Sequence, residues 1–350
     1  MSATLAERRD PAPPPPDPSS RRLTERVFRV RESGILAVLV VFAGITAAIQ
    51  PRFLDSQNIQ FVLINTTVFA LLALGETMVV VSRNVDLSIG SVLGLSAYLS
   101  TRLFSQVHGI PIPAVFAVGL AIGLACGVAN GLMVSLGRVP SLVVTLATLY
   151  IIRGIDILIV GGNEVVAQSL PNTFANIPQD TVLGIPDLAI VVAVIVALGA
   201  YYMRSFRSGR ELYAIGSNPD AARLAGIPVG KRIFTAFAVS GALAGLAGVL
   251  WAAEYQTIDS TAGTGYELLV VSAVVVGGVA IFGGSGTAVG AAIGALLLST
   301  INSALNVLGI APFWDQAIAG FLLLLAITLD RVISLRLAAA LRLRSSHRAS

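Results

Sequence analysis

The chain has 350 residues, 55% of them hydrophobic and only 12% charged, with a mean hydropathy of +0.83 and a formal net charge of +4. Soluble domains carry charge on roughly a quarter of their residues, so a soluble globular fold is excluded. One cysteine and two histidines exclude a disulfide framework, a zinc centre or a haem site and leave an enzyme without an evident base, while long apolar runs without alternating polarity argue against a β-barrel.

Residues 1–20, MSATLAERRDPAPPPPDPSS, are proline-rich and lack apolar periodicity, the pattern of a disordered tail. RRLTERVFRVRES follows with five arginines against two glutamates, so residues 1–32 read as a disordered, basic cytoplasmic tail. Its basic flank abuts the apolar run 34–49, a pairing that also fits a cleaved signal peptide, although no convincing cleavage site precedes Pro51. A bilayer core needs about 20 apolar residues per helix. The apolar runs between breakers then give spans at 33–50, 59–82, 87–105, 112–136, 141–160, 183–203, 233–254, 267–283, 286–309 and 312–330. The expected fold is all-α: a polytopic membrane protein with about ten transmembrane helices, a transmembrane domain at 33–333 and a basic cytoplasmic tail at 334–350.

Basic residues crowd 21–31, then Arg204, Arg207, Arg210, Arg223, Lys231 and Arg232, then 331–348. The positive-inside rule places all three groups in the cytoplasm, and an even number of spans lies between successive groups. Both termini and residues 204–232 are therefore expected on the cytoplasmic side of a bacterial cell membrane. The outer loops 51–58, 106–111, 161–182 and 255–266 hold Arg52 as their only basic residue of the Lys/Arg type. Residues 161–180 read either as a solvated connector or as a cap over a pathway.

Within the spans, Asn65, Thr66, Asn130, Asn302 and Asn306 are the polar groups expected to face a hydrophilic route, or else to bond between helices. Asn65-Thr66-Thr67 also matches a glycosylation acceptor but lies inside a span. Arg83 with Asp86, and Arg153 with Asp156, are spaced three apart; both read as neutralised pairs fixing helix depth, with a proton relay as the alternative. Gly119, Gly123, Gly127 and Gly131 repeat every four residues, as do Gly286, Gly290 and Gly294, while Gly241 and Gly245 precede Gly248. Such ladders let apolar helices approach closely. Asn130, Leu136, Gly137 and Pro140 recur at one offset as Asn302, Leu308, Gly309 and Pro312, which hints at an internal repeat. GIPVGKR is no phosphate loop: three residues separate its glycines, and Arg232 follows the lysine.

SNPDAARLAGIPV, FAVSGALAGLAGVL, NVDLSIGSVLGL, GVANGLMVSLGRVPSLVVTLATLYIIRGI and the glycine-rich segment from Thr261 together resemble the permease subunits of ABC importers for monosaccharides such as ribose, xylose, arabinose and rhamnose, and for autoinducer-2. The resemblance spans roughly residues 34 to 333. Arg83-Asn84 stands where the family usually has two glycines, a variant similar to rhamnose-type and autoinducer-2-type members. The resemblance implies a second permease subunit, identical or homologous, an extracytoplasmic sugar-binding protein, and a cytoplasmic ATPase that binds the ATP; no cofactor, metal or nucleic acid is expected on this chain. It also implies that Asn218, Asp220, Ala221, Ala222, Arg223, Leu224, Gly226 and Ile227 form the loop that docks on the ATPase. The residues agree independently: Asn218-Pro219 opens a turn, AARLAG supplies a short helix, and Gly226 ends it before Pro228. An ion-coupled secondary transporter and a channel are the competing classes.

Overall fold

The structure, a computed structural model, describes residues 18–311 and 313–328, with side chains from residue 33 onward. The expected tail at 334–350, the segment 1–17 and Pro312 of the repeat lie outside the described residues. Helix α1, Pro18–Ile49, corrects the first boundary: residues 18–32, expected as disordered tail, continue the helix of the first span. Pro18 suits a first helical turn, and Glu25 stands three residues after Arg22 and four before Arg29, a spacing that supports helix.

The chain continues as α2 (Ser56–Val81), α3 (Ile89–Gln106), α4 (Ile112–Ser135), α5 (Ser141–Val160), the short α6 (Asn172–Ala175), a hairpin of β1 (Thr181–Val182) and β2 (Ile185–Pro186), α7 (Asp187–Ser205), α8 (Arg207–Ser217), α9 (Pro219–Leu224), α10 (Val229–Tyr255), α11 (Tyr266–Val276), α12 (Ala288–Val307) and α13 (Trp314–Thr328). It is an all-α membrane protein with almost no sheet. Helices α2, α4, α5, α7, α10 and α12 are long and apolar enough to cross a membrane; the apolar part of α1, α11 and α13 are shorter.

Helix α2 is apolar on every side and forms the centre, with 89% of its apolar window buried against 17% for α7 and 22% for α4. It packs on α7, α10, α11 and α12, while α3 and α4 lean on α10. The glycine ladders explain how α4 and α10 meet. A Cβ on Gly123 would lie 2.6 Å from Gly245 N and would collide with the Gly241 carbonyl oxygen; Gly127 and Gly119 meet Gly241 and Gly245 in the same way. Two backbones therefore touch without side chains between them, which yields dispersion contact where lipid offers no hydrophobic drive. Gly290 and Gly294 similarly press on Gly277 and Ala273 of the α11 end. Gly286 does not belong to that ladder: its φ is +128° and it precedes α12.

Two expected spans are redrawn. The span 267–283 stops at Val276, and residues 277–287 fold as an irregular segment in which Gly278, Gly283, Gly284 and Gly286 all have positive φ. Its backbone is satisfied internally, Ala280 N–H donating to Ser285 O (3.0 Å), and by α2, Gly284 N–H donating to Val81 O (2.9 Å). Irregular backbone buried between helices requires partners of this kind. The span 183–203 starts only at Asp187, after the hairpin.

The loop 161–186, expected outside, is closely packed. Val165 and Ile258 form an antiparallel bridge, Tyr98 OH donates to Asn163 O (2.9 Å), Gln256 Nε2 donates to Ala175 O (3.0 Å), and the buried Phe174 ring lies 5.0 Å from Phe104 and 6.4 Å from Phe116.

Candidate functional site

At the basic end of the molecule, α8 and α9 build one compact unit. Sequence reasoning missed α8, reading 204–217 as loop. Its signal was the apolar stripe Gly209, Leu212, Ile215 and Gly216 at helical spacing, obscured by the arginines around it. Glu211 fastens the stripe: it accepts from Arg207 Nε (2.8 Å) and from Arg232 Nε at the start of α10. The Arg232 hydrogen bond, with Arg207 beside it, holds the Glu211 carboxyl below its ordinary range. Tyr213 OH donates to Gly286 O (3.1 Å), and Gly216 packs on the Val81 carbonyl and Gly284 N.

Helix α9 has both ends capped as the residues predict. Asn218 Oδ1 accepts from Asp220 N (3.1 Å) and Ala221 N (3.0 Å). At the other end Gly226 adopts φ +77°, Ile227 N–H donates to Ala222 O (3.0 Å) and Gly226 N–H to Arg223 O (3.0 Å), the paired bonds of a Schellman turn. Arg223 and Asp220 pair at 2.7 Å on the exposed side. Ala222 does not offer room for docking: it is buried against Ile215 and Val229, with Ile227 beside them. The face left open comprises Asp220, Ala221, Arg223 and Leu224, and Leu224 is 92% exposed.

The intramembrane polar residues separate into two groups. Asn65 and Asn302 belong to a cluster of polar and aromatic side chains from α2, α10, α11, α12 and α13, termed the mouth below. There Tyr255 OH donates to Asn65 Oδ1 (3.1 Å), Trp251 Nε1 donates to Tyr266 OH (3.0 Å), and Asn302 Nδ2 donates to Asp315 Oδ2 (3.3 Å). The Trp251 and Tyr255 rings stack at 4.5 Å, and Phe69 and Tyr266 at 4.8 Å. Both carboxylate oxygens of Glu254 are buried without a hydrogen-bond partner. Asn306 is exposed and reaches Asn302 (3.3 Å). Sequence reasoning had singled out the two asparagines of this mouth but not its aromatic rings or Asp315. Thr66 bonds back to Val62 O (2.6 Å) and borders an apolar groove of about 380 Å³ with Leu63, Ala193 and Leu296, not a polar route.

Asn130 joins the second group, near the break between α2 and α3. Its Nδ2 donates to Ser88 Oγ (2.8 Å), which donates to Asp86 Oδ1 (2.6 Å). The expected Arg83–Asp86 pair is not formed among the described residues. Arg83 is exposed at φ +68°, whereas Asp86 is 1% exposed and its N–H donates to Glu76 Oε1 (3.1 Å). Spacing of three brings side chains together only on a helix, and the helix ends at Val81. Arg153 and Asp156 do lie on one helix and approach to 3.9 Å, but Arg153 chiefly clamps the loop before α11, donating to Ala262 O (2.5 Å) and Ser260 O (3.3 Å).

The family described as the permease component of the branched-chain amino acid transport system matches residues 58–327. The autoinducer 2 import system permease protein LsrC of Enterobacter sp. (strain 638) is 35% identical over 298 residues, covering 85% of each chain. The ribose import permease protein RbsC of Escherichia coli (strain K12) is 34% identical over 316 residues, 89% of this chain and 97% of that protein. No solved structure matches.

Proposed function

Because the chain belongs to this permease-component family, we propose that it is the membrane-spanning subunit of a binding-protein-dependent ABC importer, passing a rhamnose-like, ribose-like or autoinducer-2-like molecule with ATP hydrolysed on a separate subunit. The observation that carries the coupling is the α8–α9 unit: a short helix capped at both ends, fixed to the bundle by Glu211 and exposing Leu224 in an otherwise polar loop. A stiff projection with one exposed apolar side chain suits docking on the ATPase. The packed cap at 161–186 suits an outer binding protein, and the mouth suits a sugar: aromatic rings cover its C–H faces while Asn65, Asn302, Asp315 and Glu254 meet its hydroxyls.

In this reading α1, α2, α3, α4, α5, α7, α10, α11, α12 and α13 are ten spans, and a second permease of the same kind completes the pathway. The offset that carries Asn130 to Asn302 also carries α2, α3, α4 and α5 onto α10, α11, α12 and α13, within about five residues at each boundary. With an odd number of crossings between the two sets, they run through the membrane in opposite senses, an inverted repeat. The different partners of Asn130 and Asn302 mark how far its halves have diverged.

The test is reconstitution in vesicles with the partner ATPase and binding protein that this reading requires. Labelled sugar uptake is expected to need ATP and both partners, and Asp315→Asn in the mouth is expected to cut it about tenfold with unchanged complex yield. Uptake driven by an ion gradient without the ATPase would establish a secondary transporter instead. The orientation has its own check in a Cys126→Ser background. A cysteine at Gln168 should react with an impermeant thiol reagent on intact cells and one at Ser217 should not; the reverse would invert the topology.

A further inference from the structure

Between α2, the start of α3, α4 and α10 lies a polar cluster that neither the docking unit nor the mouth uses. Glu76 and Asp86 are 0% and 1% exposed, and Asp86 N–H donates to Glu76 Oε1 (3.1 Å). Asp86 Oδ1 accepts from Ser88 N (3.0 Å) and Ser88 Oγ (2.6 Å), and Asn130 Nδ2 donates to that hydroxyl (2.8 Å). From α10, Ser240 closes the cluster beside Asp86; a Cβ on Gly75 would lie 2.8 Å from Ser240 Cα and 3.2 Å from its Oγ. Two of these buried oxygens have no hydrogen-bond partner: Glu76 Oε2 and Asn130 Oδ1.

No described cation offsets the two acids, since Arg83 is exposed and unpaired with either. Two adjacent carboxylates in a low-dielectric interior do not both stay ionised without a positive partner. A single proton bridges two oxygens. Here two carboxyl groups meet beside the unpartnered Asn130 amide oxygen, and one carboxylate oxygen, Glu76 Oε2, also lacks a partner, an oxygen-rich donor set that suits a hard cation, which takes about six oxygens. We propose that Glu76, Asp86, Asn130 and Ser240 bind a hard cation, either a monovalent ion with one carboxyl protonated or a divalent ion with both ionised. The ion joins α2, α4 and α10 at the break before α3. This site does not depend on the transport reading.

The experiment follows the unfolding midpoint of the purified full-length permease in detergent. It is titrated with sodium, potassium, magnesium or calcium chloride against N-methylglucamine chloride at constant ionic strength. A saturable rise with one ion class is expected, and which class responds distinguishes the monovalent from the divalent form. Glu76→Gln and Asp86→Asn should abolish the rise. Ser240→Ala, the milder change, should keep the midpoint in N-methylglucamine but raise the half-saturating concentration about tenfold. An equal midpoint in all five salts would overturn the proposal, as would a rise that survives unchanged in all three variants.

Discussion

Gly123→Val should eliminate folded permease, whereas Gly154→Ala, on a different helix, should change nothing measurable. A Cβ at position 123 meets backbone on the facing helix, 2.6 Å from Gly245 N and 2.7 Å from Gly245 Cα, besides the Gly241 carbonyl. Backbone cannot rotate aside as a side chain does, so α4 and α10 must separate along the whole seam. Overpacking usually costs about 1–3 kcal/mol per site, a range that fits the single methyl of Gly123→Ala. Valine adds two further methyl groups and forces the reciprocal contacts of Gly119 and Gly127 apart, so the loss exceeds that range. At Gly154 a Cβ meets nothing within 4 Å. Size-exclusion profiles of fluorescently tagged protein in mild detergent should show a monodisperse peak for Gly154→Ala, a reduced one for Gly123→Ala and none for Gly123→Val. A normal peak for Gly123→Val would mean that the seam is not formed.

Leu224→Glu should abolish ATP-driven uptake while leaving the yield of permease normal. Leu224 is 92% exposed, so its removal costs the isolated chain little. Full burial of a leucine in a partner is worth about 1.5–3 kcal/mol, roughly one to two powers of ten in affinity, and an added carboxylate in the same pocket deepens the loss. Ala222→Glu is the wrong probe of the same idea, because Ala222 is buried against Ile215 and Val229 and a charge there would disrupt the unit itself. Gly226→Val is intermediate. Its φ of +77° costs a residue bearing a Cβ about 1–2 kcal/mol, enough to misdirect Ile227 without unfolding the bundle. ATPase pull-down and uptake in reconstituted vesicles separate the cases. Full uptake by Leu224→Glu at normal permease yield would show that α9 is an interfacial helix and no docking element.

The features legible in the sequence were those with local causes. Asn218 and Gly226 cap α9 through bonds spanning two to five residues, so their types and spacing sufficed. The α4 ladder was legible because a period of four states which helix face is bare, although not which helix would meet it. Arg83 and Asp86, at the break between two spans, failed to pair because Arg83 itself adopts a left-handed conformation that leaves its guanidinium exposed, while Asp86 turns inward. Helix α8 was hidden since its stripe is short and its neighbours are arginines. The mouth and the Glu76–Asp86 cluster assemble residues more than a hundred positions apart in several contacts, such as Asn65 with Tyr255, and no local period encodes such meetings.

The bonds that anchor α8 also define a load path. Tyr213 grips the Gly286 carbonyl, Gly216 rests on the Val81 carbonyl, and Val81 in turn receives Gly284 N–H. A force applied at Leu224 therefore need not travel along the chain into α7 or α10. It bears on the start of α10 through Glu211 and Arg232, and also directly on the Val81 end of the central helix and on the glycine segment leading to α12. Torque on the docking unit thus reaches the most buried helix of the bundle directly and not only its lipid-facing rim, which couples the unit to the core by contact as well as by chain.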